Sequence, residues 1–125
     1  MRKNHGGGRG GHGHGHGAGA VGHHKGPMGG STTTAAHVGP HGGATVAQHH
    51  KGPMGASTTT TAHKGPLGAT TTTQSHTNVF GKTTTTTTHT GVLGGTKTTE
   101  STTGRFGATN TTSVKQGPMG GTTVT

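Results

Sequence analysis

The chain has 125 residues, of which 20% are hydrophobic and 2% aromatic, with no Cys, Trp or Tyr. So few large side chains cannot build a conventional core, and without Cys neither a disulfide framework nor a thiolate site can form. Ten Lys and Arg stand against a single acid, Glu100, for a formal charge of +9, which removes any paired-carboxylate chemistry.

Residues 1–22 form a head rich in Gly, His and Arg, with Gly6-Gly7-Gly8 and the run His12-Gly13-His14-Gly15-His16. Glycine at this density leaves the backbone unrestrained, so the head is expected to be disordered. The basic start, Met1-Arg2-Lys3, leads into Gly and His instead of an apolar segment, unlike a secretory signal. No apolar run is long enough for a transmembrane helix, so the default expectation is a cytoplasmic or nuclear protein.

The head also holds the densest imidazoles. His12, His14, His16, His23 and His24, spaced by flexible glycine, are the candidate metal ligands, and imidazole suits Zn, Ni or Cu. With no Cys and no nearby carboxylate, such a site is adaptable and weak, and no cofactor is required. Its affinity is expected to fade in mildly acidic solution, because protons compete for the rings.

From residue 23 to residue 125 the chain is built on a 13-residue repeat that holds through eight units. One column reads Met28, His41, Met54, Leu67, Phe80, Leu93, Phe106 and Met119, and the next is glycine throughout, from Gly29 to Gly120. Fixed-period self-similarity marks a repeat architecture. All five prolines share one column, at Pro27, Pro40, Pro53, Pro66 and Pro118. Gly-Pro, an apolar residue and Gly suit a type II-like turn, with glycine at positive φ. The Thr runs, Thr58 to Thr61 and Thr83 to Thr88, are β-branched and prefer extended backbone. No segment carries the 3.6-residue apolar period of a helix.

Two states fit this unit. The entropy of ordering a whole repeat exceeds what its one buried Met, Leu or Phe returns, which predicts a mostly intrinsically disordered, low-complexity tandem repeat. The alternative is a β-solenoid or cross-β stack of 13-residue coils, with Thr ladders and the Met28-to-Met119 column pointing inward.

For function, one carboxylate and no rigid scaffold argue against an enzyme. Dispersed cations and the Gly8-Arg9-Gly10-Gly11 stretch, which resembles RGG segments, support a weaker reading in which nucleic acid or another polyanion is a partner. Over residues 23–125 the Gly/Thr/His-rich composition resembles the spacer regions of dehydrins and of the late-embryogenesis-abundant, hydrophilin-like proteins, although the Lys-rich segment defining dehydrins is absent. The resemblance implies protection of cells or macromolecules under dehydration or cold-type stress, with water and stressed proteins or membranes as non-specific clients. The alternative is a structural fibre, coat or surface polymer that self-assembles through its Thr segments. A third reading is a Thr-array ice-binding solenoid, since the Thr runs resemble the ice-binding face of insect antifreeze solenoids.

Overall fold

The glycine column sets the architecture. In the computed structural model, which describes residues 18–125, eight glycines adopt positive φ: Gly29, Gly42, Gly55, Gly68, Gly81, Gly94, Gly107 and Gly120, at φ 82–93. No other residue type does so among the described residues. In the first turn Gly29 N donates to Gly26 O (3.3 Å) and Gly26 N donates to Gly30 O (2.7 Å). Pro27 and Met28 therefore occupy the two right-handed positions of a type I turn, and Gly29 supplies the left-handed residue that closes a three-residue hairpin loop. A type II turn would need positive φ at Met28, so the expected turn type is corrected while the glycine assignment stands. Where Gly-Pro is replaced by Asn78-Val79, the Asn78 side chain takes over part of the closure. Its Oδ1 accepts from Phe80 N and Lys82 N, both at 3.0 Å.

Each turn reverses the chain, and the extended segment between turns, Thr-rich in most repeats, becomes one strand. The strands are β1 (Ala18–Lys25), β2 (Ser31–Val38), β3 (Ala44–Lys51), β4 (Ser57–Lys64), β5 (Thr70–Thr77), β6 (Thr83–Thr90), β7 (Thr96–Thr103), β8 (Thr109–Gln116) and β9 (Thr122–Val124). They form one nine-stranded sheet in sequence order, every neighbouring pair antiparallel. The repeat thus divides into a strand such as Ser31–Val38 and a reversal such as the Gly39–Gly43 turn. No helix occurs among the described residues.

The expectation of a mostly disordered chain does not hold for residues 18–125. Apolar burial does fall short of the chain entropy, which leaves inter-strand pairing and Thr packing to supply the rest. Here the compensation is backbone pairing: every hairpin closes over a short loop, so little loop entropy opposes each new ladder. The stacked-repeat alternative describes the outline correctly, since the repeats lie side by side in β structure. Ala18 to Gly22, within the segment assigned to the head, belong to β1, and the rest of that segment lies outside the described residues.

The expected inward column is also corrected. No side chain among the described residues is buried. Met28, Met54, Leu67, Phe80, Leu93, Phe106 and Met119 are 74–98% exposed, because they sit at turn tips and not on a sheet face. Turns alternate between the two ends, so Met28, Met54, Phe80 and Phe106 line one rim, and His41, Leu67, Leu93 and Met119 the other. Neighbouring turns on one rim lie close together. A Cβ on Gly95 would lie 3.2 Å from Pro118 Cδ, and one on Gly30 would lie 3.8 Å from Pro53 Cδ.

Candidate functional site

Strand side chains alternate between two faces, and the register fixes which residues share each. Partners have matching parity in every pair, for example Lys25↔Ser31, Ser31↔Lys51 and Lys51↔Ser57. Odd-numbered strand residues therefore occupy one face throughout and even-numbered residues the other. A two-strand advance moves the sequence by two repeats, so His23, His49, Ser75 and Ser101 stand in one row.

Along these rows the hydroxyls and imidazoles pair. On the odd face His23 Nδ1 shares a hydrogen bond with Thr33 Oγ1 (2.9 Å), and His49 Nδ1 with Thr59 Oγ1 (2.8 Å). Two repeats later the same position holds Ser75–Thr85 at 3.1 Å, and then Ser101–Thr111 at 3.2 Å. Near the opposite rim His63 bonds Thr45 and His89 bonds Thr71, both at 2.8 Å. On the even face His50 bonds Thr32 (2.9 Å) and His76 bonds Thr58 (3.0 Å).

One geometric rule covers all of these contacts. The bond between Gly26 and Gly30 makes even residues of β1 and β2 the hydrogen-bonded pairs, and the parity switches at each following interface. Every cross-strand side-chain bond named above falls on a pair whose backbones do not bond each other. Those Cα atoms approach to about 4.5 Å, against about 5.5 Å for backbone-bonded pairs. Thr and His side chains thus reinforce the intervals where the ladder leaves a gap.

Of the candidate metal ligands, His12, His14 and His16 lie outside the described residues. His23 and His24 are consecutive on β1 and project to opposite faces, and the sheet does not bring them together. Among the described residues no group of three or more His, Cys, Asp or Glu is placed to hold a metal ion. Within one row, histidines recur only on alternate strands, for example His24, His50 and His76, and so stand about 9–10 Å apart.

Charge is divided unequally. Lys25, Lys51, Lys97 and Lys115 are on the odd face, while the even face carries Lys64 and the sole acid, Glu100. One face is cationic and the other balanced. Two shallow cavities open on the odd face. One of about 300 Å³ lies over small residues, among them Gly19, Ala35 and Ala47, beside Val21 and His37. The other, of about 250 Å³, is bounded by His89, Lys97, Lys115 and Pro118.

The two-repeat rhythm was available in the sequence, because His23 and His49 give way to Ser75 and Ser101 at that spacing. It is invisible when single repeats are aligned, which superimposes residues that belong to opposite faces.

No helix among the described residues is long and apolar enough to cross a membrane. Comparison with protein-family models, with characterised proteins and with solved structures finds no match.

Proposed function

We propose that this chain is a non-enzymatic structural repeat protein whose sheets assemble into a fibre, coat or surface polymer. The observation that carries this reading is a single-layer sheet in which no described side chain is buried and, among the described residues, nothing covers either face or pairs with the outer edge of β1 or β9. Among the described residues β1 is an undefended edge. It contains Ala, Gly and Val, has no proline or bulge, and carries its one lysine at the end, whereas edges that resist pairing carry such devices. At the other side, β9 pairs with β8 only from Val114 to Gln116, with a further reciprocal bond between Ser113 and Thr125. The outward backbone groups of Thr109 and Thr111 thus lie beyond β9's reach.

The mechanism is strand addition. A second copy pairing at β1 continues the same ladder, and the constant turn length keeps both rims in register from copy to copy. The protective reading suggested by composition retains one support, the hydration of the exposed Thr rows, but its solvated disordered shield is not the state of residues 18–125. Sedimentation over a wide concentration range separates the two. Assembly predicts growing species with a fibre reflection at about 4.7 Å. A monomer at all concentrations would refute it.

A further inference from the structure

The cationic face has one place where positive charge is concentrated. Lys97 on β7 faces Lys115 on β8 directly, and His89 on β6 faces Lys97 from the other side. Three consecutive strands thus place two lysines and a histidine in one row on one face. The hydrogen bonds of the Gly104–Ala108 turn identify Lys97–Lys115 as a pair whose backbones do not bond each other. This is the closer of the two antiparallel spacings, with Cα atoms about 4.5 Å apart.

Like charges placed directly opposite destabilise a sheet. The one acid of the chain does not relieve them, because Glu100 is on the other face. The other odd-face lysines avoid this arrangement, since Ser31 stands between Lys25 and Lys51. The cavity of about 250 Å³ beside His89, Lys97 and Lys115 has mainly apolar walls, with Gly95 and Pro118 at its rim end, so an anion here would sit over the lysine ends and not inside the cavity. His89 already bonds Thr71 through Nδ1, which holds the ring in place and leaves Nε2 as its remaining polar atom.

We infer that His89, Lys97 and Lys115 form a binding site for a tetrahedral oxyanion, a phosphate or sulfate group. Two ammonium groups supply charge-assisted hydrogen bonds to separate oxygens, and the imidazole supplies a third donor when Nε2 carries the proton. The anion converts the Lys97–Lys115 repulsion into a bridge across β7 and β8. The site is open, so the group it accepts can be a free ion or the exposed end of a larger molecule. The inference is independent of whether the sheets assemble.

The test is a nuclear magnetic resonance titration of the full chain, labelled on Lys and His, with inorganic phosphate and separately with inorganic sulfate. Sedimentation of the same samples reads the assembly state. The expected result is saturable shifts centred on His89, Lys97 and Lys115, weakening as ionic strength rises. Phosphate binding tighter than sulfate assigns a phosphoryl ligand, and the reverse order a sulfuryl one. Lys97→Gln with Lys115→Gln should weaken binding by about tenfold or more, while Lys25→Gln with Lys51→Gln leaves it unchanged. Equal shifts at every lysine, or binding that survives loss of Lys97 and Lys115, would overturn the assignment. Both double variants alter exposed side chains only, and circular dichroism confirms that the sheet persists.

Discussion

His49 and His50 are consecutive in the chain, yet they bond to opposite neighbours on opposite faces: His49 to Thr59 on β4, and His50 to Thr32 on β2. A pleated strand divides every adjacent pair in this way, and His23 and His24 are divided likewise on β1. At most one of those two can therefore join His12, His14 and His16 around a single ion. In zinc calorimetry on the full chain, either His23→Gln or His24→Gln should reduce affinity, but not both. Equal losses from the two variants would show that β1 gives way when metal binds. Removing residues 1–17 should abolish this binding and leave β1 intact, a cleaner comparison than a cut that runs into the strand.

Gly68 takes φ +93 in open space, while Gly22 lies extended in β1 with nothing within 4 Å of where a Cβ would stand. The two positions should therefore respond in opposite directions to alanine. Gly68→Ala is expected to cost about 1–2 kcal/mol through left-handed strain. Gly22→Ala should be neutral or stabilise by up to about 1 kcal/mol, by removing backbone freedom from the unfolded chain. Denaturation midpoints of the two variants test this. Equal losses would overturn the assignment of the Gly68 cost to its positive φ.

The β1 edge gives a test of assembly by backbone chemistry alone. Even residues of β1 bond to β2, so Val21 directs its N–H and C=O outward. Val21→Pro removes an outward donor without deleting a β1–β2 bond, and edge strands tolerate proline. The variant should keep the wild-type circular dichroism spectrum and stay monomeric at concentrations where the parent sediments as larger species. Continued growth of the variant would move the assembly contact to the faces or the rims.

Thr77 and Thr83 face each other across β5 and β6 with hydroxyl oxygens 2.9 Å apart. Val is the informative replacement, because it keeps the branched shape and strand preference while deleting the hydroxyl. Each single change should cost less than about 1 kcal/mol, and the double variant should cost less than the two single changes together, since neither position is then left with an unmatched hydroxyl. A double-mutant cycle on unfolding free energies measures this coupling, which is expected between about 0.2 and 1 kcal/mol.

Much of the backbone was legible from the chain. The invariant glycine after the apolar column located all eight left-handed residues, and the β-branched Thr runs marked strands such as β4 and β6, though not β1 or β3. The apolar column itself misled. Met28, Leu67 and Phe106 recur because a hairpin loop places something at its tip once in every repeat, and periodicity alone does not distinguish a tip from a core. The disorder expectation failed because the scarcity of large side chains limits burial, whereas these strands are joined through their backbones. At the candidate site, His23 and His24 looked like a pair because they adjoin in sequence. The alternation of a strand separates them, while antiparallel reversal unites residues as distant as Thr71 and His89.

The antiparallel alternation also limits how such a chain can change length. Loss or duplication of two whole repeats returns every later side chain to its original face and every later tip to its original rim. Loss of a single repeat leaves a strand of the right length and a sound turn, but everything beyond it is inverted. Lys97 and Lys115 would move together to the face that now holds Lys64, and the tips of the two rims would trade places. Repeat number in this architecture is therefore neutral in steps of two, whereas a step of one exchanges the protein's two surfaces downstream of the change.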